Sequence, residues 1–249
     1  MRDSADSSDA SMLNPSSYSD SKSFLRPRPG VWELPMYLHR KPILDSVLRA
    51  APVLRGRLLD VGCGTRPYLP LLDVSEYVGV DVERSPHHLD KAVVLYDGLH
   101  LPFPDDAFAS VLCTEVLEHC GEPDVLLQEI SRVLKQGGHC LLTAPMVIEH
   151  HEVPHDGFRF TRFALERLAA RSRLDVVWIL PRGHQYDVWV YATYSAISYT
   201  LSRRPWKDLV MWFVWPWTIV AHLLDGWRSN DVTLTLGWQV LMKKHDTGA

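Results

Sequence analysis

Two stretches of this chain concentrate residues that can do chemistry. The first is residues 58 to 65, Leu-Leu-Asp-Val-Gly-Cys-Gly-Thr, an apolar run that contains Asp60 and ends in Gly62, Cys63 and Gly64. Glycines at such a point let the backbone turn tightly and approach a ligand closely. Later apolar runs also end in polar groups: Asp81 and Val82 close one, Asp97 and Gly98 follow another, and Thr114 and Glu115 close a third. The second stretch, Glu149 to Thr161, holds three histidines, three carboxylates and an arginine within eleven residues of its start.

Asp60 bears on the kind of ligand the glycine loop could take. A dinucleotide places its pyrophosphate at the N-terminus of the helix after the loop, where a carboxylate would repel it. The dinucleotide fingerprint also needs a third glycine three residues on, where this chain has Pro67. S-adenosylmethionine carries an ammonium and a sulfonium and no phosphate, so Asp60 suits it. Asp81 can accept hydrogen bonds from ribose hydroxyls in either ligand class, and Asp97 can accept one from an adenine amino group. Each of these acids also has a plain structural reading as a helix cap or turn residue.

In the second stretch, His151, His155 and Asp156 are candidates for acid–base catalysis, since an unperturbed imidazole titrates at about 6.5. Histidine and carboxylate are also good metal ligands. The structural alternative pairs Asp156 with Arg159 and packs Phe158 against Phe160. Glu118 and His119 have the same two readings, catalytic group or start of a packed helix.

These residues need a scaffold that brings distant strand ends together. Short apolar runs read as strands at 57–61, 77–81, 92–96, 108–113, 140–144, 175–180 and 236–242. Helical spacing covers 36–50, 123–135 and 163–171, with Gly137 and Gly138 expected to end the second of these. A helix is expected directly after the glycine loop. Alternation of this kind implies an α/β fold, a Rossmann-like, doubly wound, mostly parallel seven-stranded sheet with helices on both faces. Ligands of such sheets lie outside the carboxyl ends of the strands. The pattern changes after 181, where about 186–230 reads as a helical aromatic insertion before the last strand.

Composition sets the outer bounds. A chain of 249 residues suits one large domain, placed at 31–249, behind a polar tail at 1–28 expected to be disordered. The net charge of -4 offers no basic surface for nucleic acid. Four cysteines at 63, 113, 120 and 140 fit neither a zinc motif nor a disulfide scaffold. The first 23 residues are Ser- and Asp-rich without an apolar run, so no secretory leader is expected and a cytoplasmic location is. Five of the nine tryptophans fall between Trp189 and Trp217. The segment 189–227 can be core or homodimer element, a lid over the acceptor, or a peripheral membrane contact.

From about 57 to 145 the chain resembles the class I S-adenosylmethionine-dependent methyltransferases of the type 11 branch. The resemblance rests on residues 58–65, 77–81, Asp97 with 101–108, 111–119 (Val-Leu-Cys-Thr-Glu-Val-Leu-Glu-His) and 132–138, in that order. It implies S-adenosyl-L-methionine as cofactor. By position, Asp60, Gly62, Cys63 and Gly64 would hold its amino-acid end, Asp81 and Val82 the ribose, Asp97 and Gly98 the adenine, and Thr114 and Glu115 the region of the sulfonium. It requires no metal. Where many members have a third glycine, this chain has Arg66 followed by Pro67 and Tyr68. The histidine-rich segment is similar to that of members associated with glycoconjugate biosynthesis, which implies a glycan or other small-molecule acceptor. Two rivals stand beside this reading: a catalytically silent binding protein of the same fold, and an NAD-dependent oxidoreductase.

Overall fold

The structure is a computed structural model, described at residues 24–85, 93–201, 206–225 and 232–245. Seven strands form one sheet: β1 (Arg57–Val61), β2 (Glu76–Val82), β3 (Val94–Tyr96), β4 (Phe108–Thr114), β5 (Leu134–Pro145), β6 (Leu174–Pro181) and β7 (Gly237–Lys244). Their order is β3-β2-β1-β4-β5-β7-β6, with β7 alone antiparallel to its neighbours. The helices are α1 (Leu34–Ala50), α2 (Pro123–Val133), α3 (Arg162–Arg171), α4 (Gln185–Thr200) and α5 (Lys207–Asp225).

Strand alternation sends side chains to two cores. Leu58, Leu112 and Leu141 face Ile43, Val47 and Ala50 of α1. Leu59, Val61, Val111, Cys113 and Leu142 face the other way, onto Leu126 and Ile130 of α2 and Leu165 and Ala169 of α3. Both faces of the sheet are therefore covered by helices, as expected. Each helix has a local cause: Pro123 occupies the first turn of α2, and the Thr161 hydroxyl caps α3 by accepting from the Ala164 amide at 3.2 Å.

Three expectations need correction. No α-helix follows the glycine loop; the chain makes only a three-residue 3-10 turn, Leu69–Leu71, before β2. Pro67 and Pro70 withhold backbone donors there, which prevents a helical ladder. The helix expected at 123–135 ends at Val133, and β5 starts at Leu134 instead of Cys140. Gly137 and Gly138 lie inside that strand, beside a register shift between Phe108 and Ser110. A Cβ on Gly138 would stand 2.8 Å from the Ala109 carbonyl oxygen, so glycine serves close backbone approach there. The third strand begins at Val94, and Ala92 lies outside the described residues.

Most of the expected polar tail, residues 1–23, also lies outside the described residues. Phe24 does not behave as tail: its ring meets Tyr68 edge-on at 6.2 Å, and the Arg40 guanidinium sits 4.1 Å over it. α4 and α5 lie between β6 and β7 and pack on the N-terminal half of α1, through Leu34 and Leu38. All four cysteines are free and buried.

Candidate active site

The carboxyl ends of β1, β2, β3 and β4 open into one cavity of about 360 Å³. Its far wall comes from α1, with Met36, His39, Arg40 and Ile43, and its roof from residues 148–155 after β5. Parallel strands put successive carboxyl ends side by side, which is why residues as distant as Asp60 and Glu115 share a lining.

Most residues expected at the cofactor end are there. Asp60, Gly62, Cys63, Gly64, Asp81, Val82, Gly98, Thr114 and Glu115 all line the cavity. Gly62 has φ +67, and a Cβ there would stand 2.3 Å from Val116 Cγ2. Cys63 turns its sulfur onto β2, where a Cβ on Gly79 would meet it at 2.7 Å. Asp81 accepts from the Gly64 amide at 2.9 Å and from its neighbour Val82 at 2.8 Å, pinning the loop to β2. Asp60 accepts from the Tyr77 hydroxyl. Burial pushes the Asp60 carboxyl up to about 7; the Tyr77 bond opposes this, and the charge of Asp81 adds to it.

Asp97 lies between two lining residues, Tyr96 and Gly98, without lining the cavity itself. Its carboxylate closes its own turn, accepting from the Leu99 and His100 amides at 2.8 and 2.7 Å and lying 2.9 Å from the His100 ring. It is a turn residue, because its short side chain finds local amides first.

Glu115 is the most constrained acid of the site. Its φ is +55, a left-handed conformation costly for a side-chain-bearing residue. Arg182 donates to both its oxygens, at 2.9 Å from Nη1 to Oε2 and through Nη2 to Oε1. Thr143 Oγ1 donates to Oε1 at 2.8 Å. Burial would raise the Glu115 carboxyl, but the Arg182 charge and hydrogen bonds prevail and hold it at about 2. Arg182 Nη1 also lies 3.0 Å from His39 Nδ1. Burial, reinforced by Arg182, holds His39 at about 3, so its neutral ring can accept there. Neither His39 nor Arg182 was singled out from sequence. The available signal was the charged residue directly after β6, at the same sheet edge as Asp60 and Glu115.

The histidine-rich loop divides. His151 and His155 line the cavity, and Asp156 does not. Asp156 is clasped by Arg159 at 2.5 and 2.7 Å and accepts from the His151 amide at 3.1 Å. Burial would raise its carboxyl, and the Arg159 bonds hold it well below the usual range. Phe158 and Phe160 stack at 5.9 Å, as the structural reading expected. Asp156 therefore shapes the loop that carries the two histidines. Glu118 and His119 lie on a 3-10 turn, Leu117–His119, and the His119 ring reaches the cavity.

Residues 59–142 match the family model described as a methyltransferase domain. Over 151 residues the chain is 30% identical to a phosphatidylethanolamine N-methyltransferase of Cereibacter sphaeroides, covering 49% of this chain and 71% of that one. Over 106 residues it is 29% identical to an uncharacterized protein of Methanocaldococcus jannaschii, covering 41% of this chain and 50% of that one. The chain spans about half the length of the first curated relatives it matches. Among solved structures, the [4+2]-cyclase SpnF aligns with a TM-score of 0.52 at 17% identity, over 95% of this chain and 96% of that one. That likeness concerns the fold.

Two outcomes are expected from these charges. Arg182→Met leaves Glu115 buried beside an apolar group, and urea unfolding at pH 7 should show a loss of about 3–5 kcal/mol. An unchanged midpoint would mean the pair contributes nothing. Asp60 has a folded pKa of about 7 against an ordinary 3.8, so its contribution to stability is fully present below pH 3.8 and lost as pH rises through 7. Asp60→Asn should therefore match wild type near pH 3.8 and be the more stable protein at pH 8, by roughly 2–4 kcal/mol. A gap independent of pH would refute this assignment of charge.

Proposed function

The chain belongs to the class I S-adenosylmethionine-dependent methyltransferases of the type 11 family, and from that premise we propose that it moves the methyl group of S-adenosylmethionine to a small or lipid-linked acceptor by in-line displacement. The observation that carries this reading is the cavity itself. Its lining brings the buried carboxyls of Asp60 and Asp81 and the residues His151 and His155 into one space.

The residues fit a cationic cofactor. Asp60 is a buried carboxyl pushed up to about 7, and an ammonium beside it would restore its charged form. The loop carries no helix N-terminus for a pyrophosphate among residues 62–75, which argues against the dinucleotide reading. When bound, S-adenosylmethionine supplies a methyl group made electrophilic by its sulfonium. Asp60 and Gly62–Gly64 would hold the amino-acid end, and Asp81 the ribose. Glu115, fixed by Arg182, keeps a negative charge in the cavity near the expected sulfonium.

On the acceptor side, the residues of the loop after β5 would hold the acceptor's lone pair toward the methyl group that the cofactor supplies, the carbon–sulfur electron pair leaving with sulfur. The proton of a hydroxyl or amine acceptor would pass to His155, which is exposed on the cavity wall. Asp156 acts through Arg159, positioning the loop. Orientation of two bound reactants is itself worth several kcal/mol.

The aromatic helices bear on the acceptor. Leu209, the adjacent pair Trp212 and Phe213, Trp217, Val220 and Leu223 are exposed on α5, recurring every three or four residues along one side. The opposite side buries Met211, Thr218 and Ala221. Among the described residues no helix is long and apolar enough to cross a membrane, so this stripe fits an interfacial contact. The curated relatives include enzymes acting on phosphatidylethanolamine and demethylmenaquinone, which supports an acceptor with an apolar anchor, a lipid-linked glycan included.

Calorimetric titration of S-adenosylhomocysteine tests the cofactor reading. Micromolar binding is expected, weakened at least tenfold (about 1.4 kcal/mol) by Asp81→Ala. No binding to folded wild type would sink it. Flotation with phosphatidylglycerol-containing vesicles tests the surface reading: wild type should float, and the double variant Trp212→Glu, Phe213→Glu should stay with the unbound fraction. Wild type that remains unbound removes the membrane from the proposal.

A further inference from the structure

The turn after β4 and the loop after β5 bring one carboxylate and two imidazoles together at the cavity wall. Glu118 Oε1 lies 3.9 Å from His119 Nε2 and 3.9 Å from His151 Nε2. The three donor atoms all lie within 4.8 Å of one another. The Glu118 side chain is 0% exposed, and among the described residues neither of its oxygens accepts a hydrogen bond. A carboxylate taken out of water without such partners is costly.

The imidazoles stand too far away to hydrogen-bond it, and their Nδ1 atoms are engaged elsewhere. His119 Nδ1 lies 2.8 Å from the His155 carbonyl oxygen, and His151 Nδ1 lies 3.2 Å from that of Glu149. A carbonyl oxygen only accepts, so each Nδ1 is the donor and, in the neutral ring, each Nε2 is a bare lone pair. At 3.9 Å neither Nε2 is hydrogen-bonded to Glu118. A carboxyl oxygen and two imidazole nitrogens thus converge, with neither nitrogen hydrogen-bonded to the carboxyl. Metal-ligating histidines are arranged this way, with the remote N–H donated to a backbone carbonyl and the tautomer fixed by it.

We propose that Glu118, His119 and His151 form a binding site for a divalent first-row transition metal ion. Two imidazoles and one carboxylate favour such an ion over magnesium or calcium. Tetrahedral ligands at 2.0–2.1 Å from zinc lie about 3.3 Å apart, so the two 3.9 Å separations need to close by only about 0.6 Å. Three protein ligands leave a coordination position open. His119 and His151 both line the cavity that holds Thr114 and Glu115, so an acceptor oxygen or nitrogen could fill it. That use rests on the methyl-transfer reading; the ion site itself does not.

The test needs no turnover. Full-length protein is stripped with a chelator and titrated with cobalt(II), without S-adenosylmethionine, while visible absorption is followed. One equivalent should bind at micromolar concentration and be displaced by zinc. Glu118→Gln and His151→Ala should each weaken binding at least tenfold, while His150→Ala, whose ring is 85% exposed, should not. Absence of binding, or equal binding by all variants, overturns the proposal. Should the variants fail to fold, nuclear magnetic resonance of wild type decides: zinc must shift the ring signals of His119 and His151. Shifts confined to other histidines would equally overturn the site.

Discussion

The Arg182 guanidinium is wholly buried, and the architecture of the cavity depends on what it holds. It grips both oxygens of Glu115 and reaches His39 on α1. Removing such a charge from water costs several kcal/mol, which only close, bidentate pairing offsets. The backbone around it is equally committed: the Arg182 amide donates to the Gly237 carbonyl at 2.7 Å, and its carbonyl accepts from Leu236. A Cβ on Gly237 would stand 3.1 Å from Arg182 Cζ and 2.6 Å from the Ala144 carbonyl oxygen, so β7 must begin with glycine. One ion pair thereby joins β4, β6, β7 and α1, and holds Glu115 in a backbone conformation it would otherwise avoid.

The same cavity treats its carboxyl groups in opposite ways. Glu115, beside a guanidinium, is held at about 2, while Asp60, buried near Asp81, is raised to about 7. Both are desolvated; the difference lies in the charge beside them. A site built this way is ready for a cation at one end and already neutralised in the middle. Glu118, buried just behind the cavity lining, lies 3.9 Å from the Nε2 atoms of His119 and His151, two residues that do line it.

α5 shows how one apolar segment can serve two purposes. Met211 and Ala221 join Leu34 and Leu38 in the core, and Asp187 of α4 lies 2.6 Å from His222, fixing the two helices together. The opposite side leaves Trp212, Phe213 and Trp217 in the open. Pro216 lies within the helix without ending it. A helix apolar all round is ordinarily buried, and here only one side is.

The strands were legible because each is a short apolar run, and a run buried on both faces belongs to a parallel sheet. The glycine loop and Asp81 were legible because a tight turn and a strand-end acid are local features. Asp97 is a strand-end acid too, but no sequence pattern reveals that its neighbours' amides take its carboxylate. The loop after β1 misled because the two prolines that deny it a helix weigh less in a pattern than the glycines before them. By itself the sequence determined the layered α/β fold and the edge of the sheet where the chemistry must lie, since alternation and strand order are short-range properties. Tertiary structure alone decided that Arg182 meets Glu115 across 67 positions and that Glu118 is enclosed by His119 and His151. Those partnerships depend on which strand ends become neighbours, and on how little water remains between them.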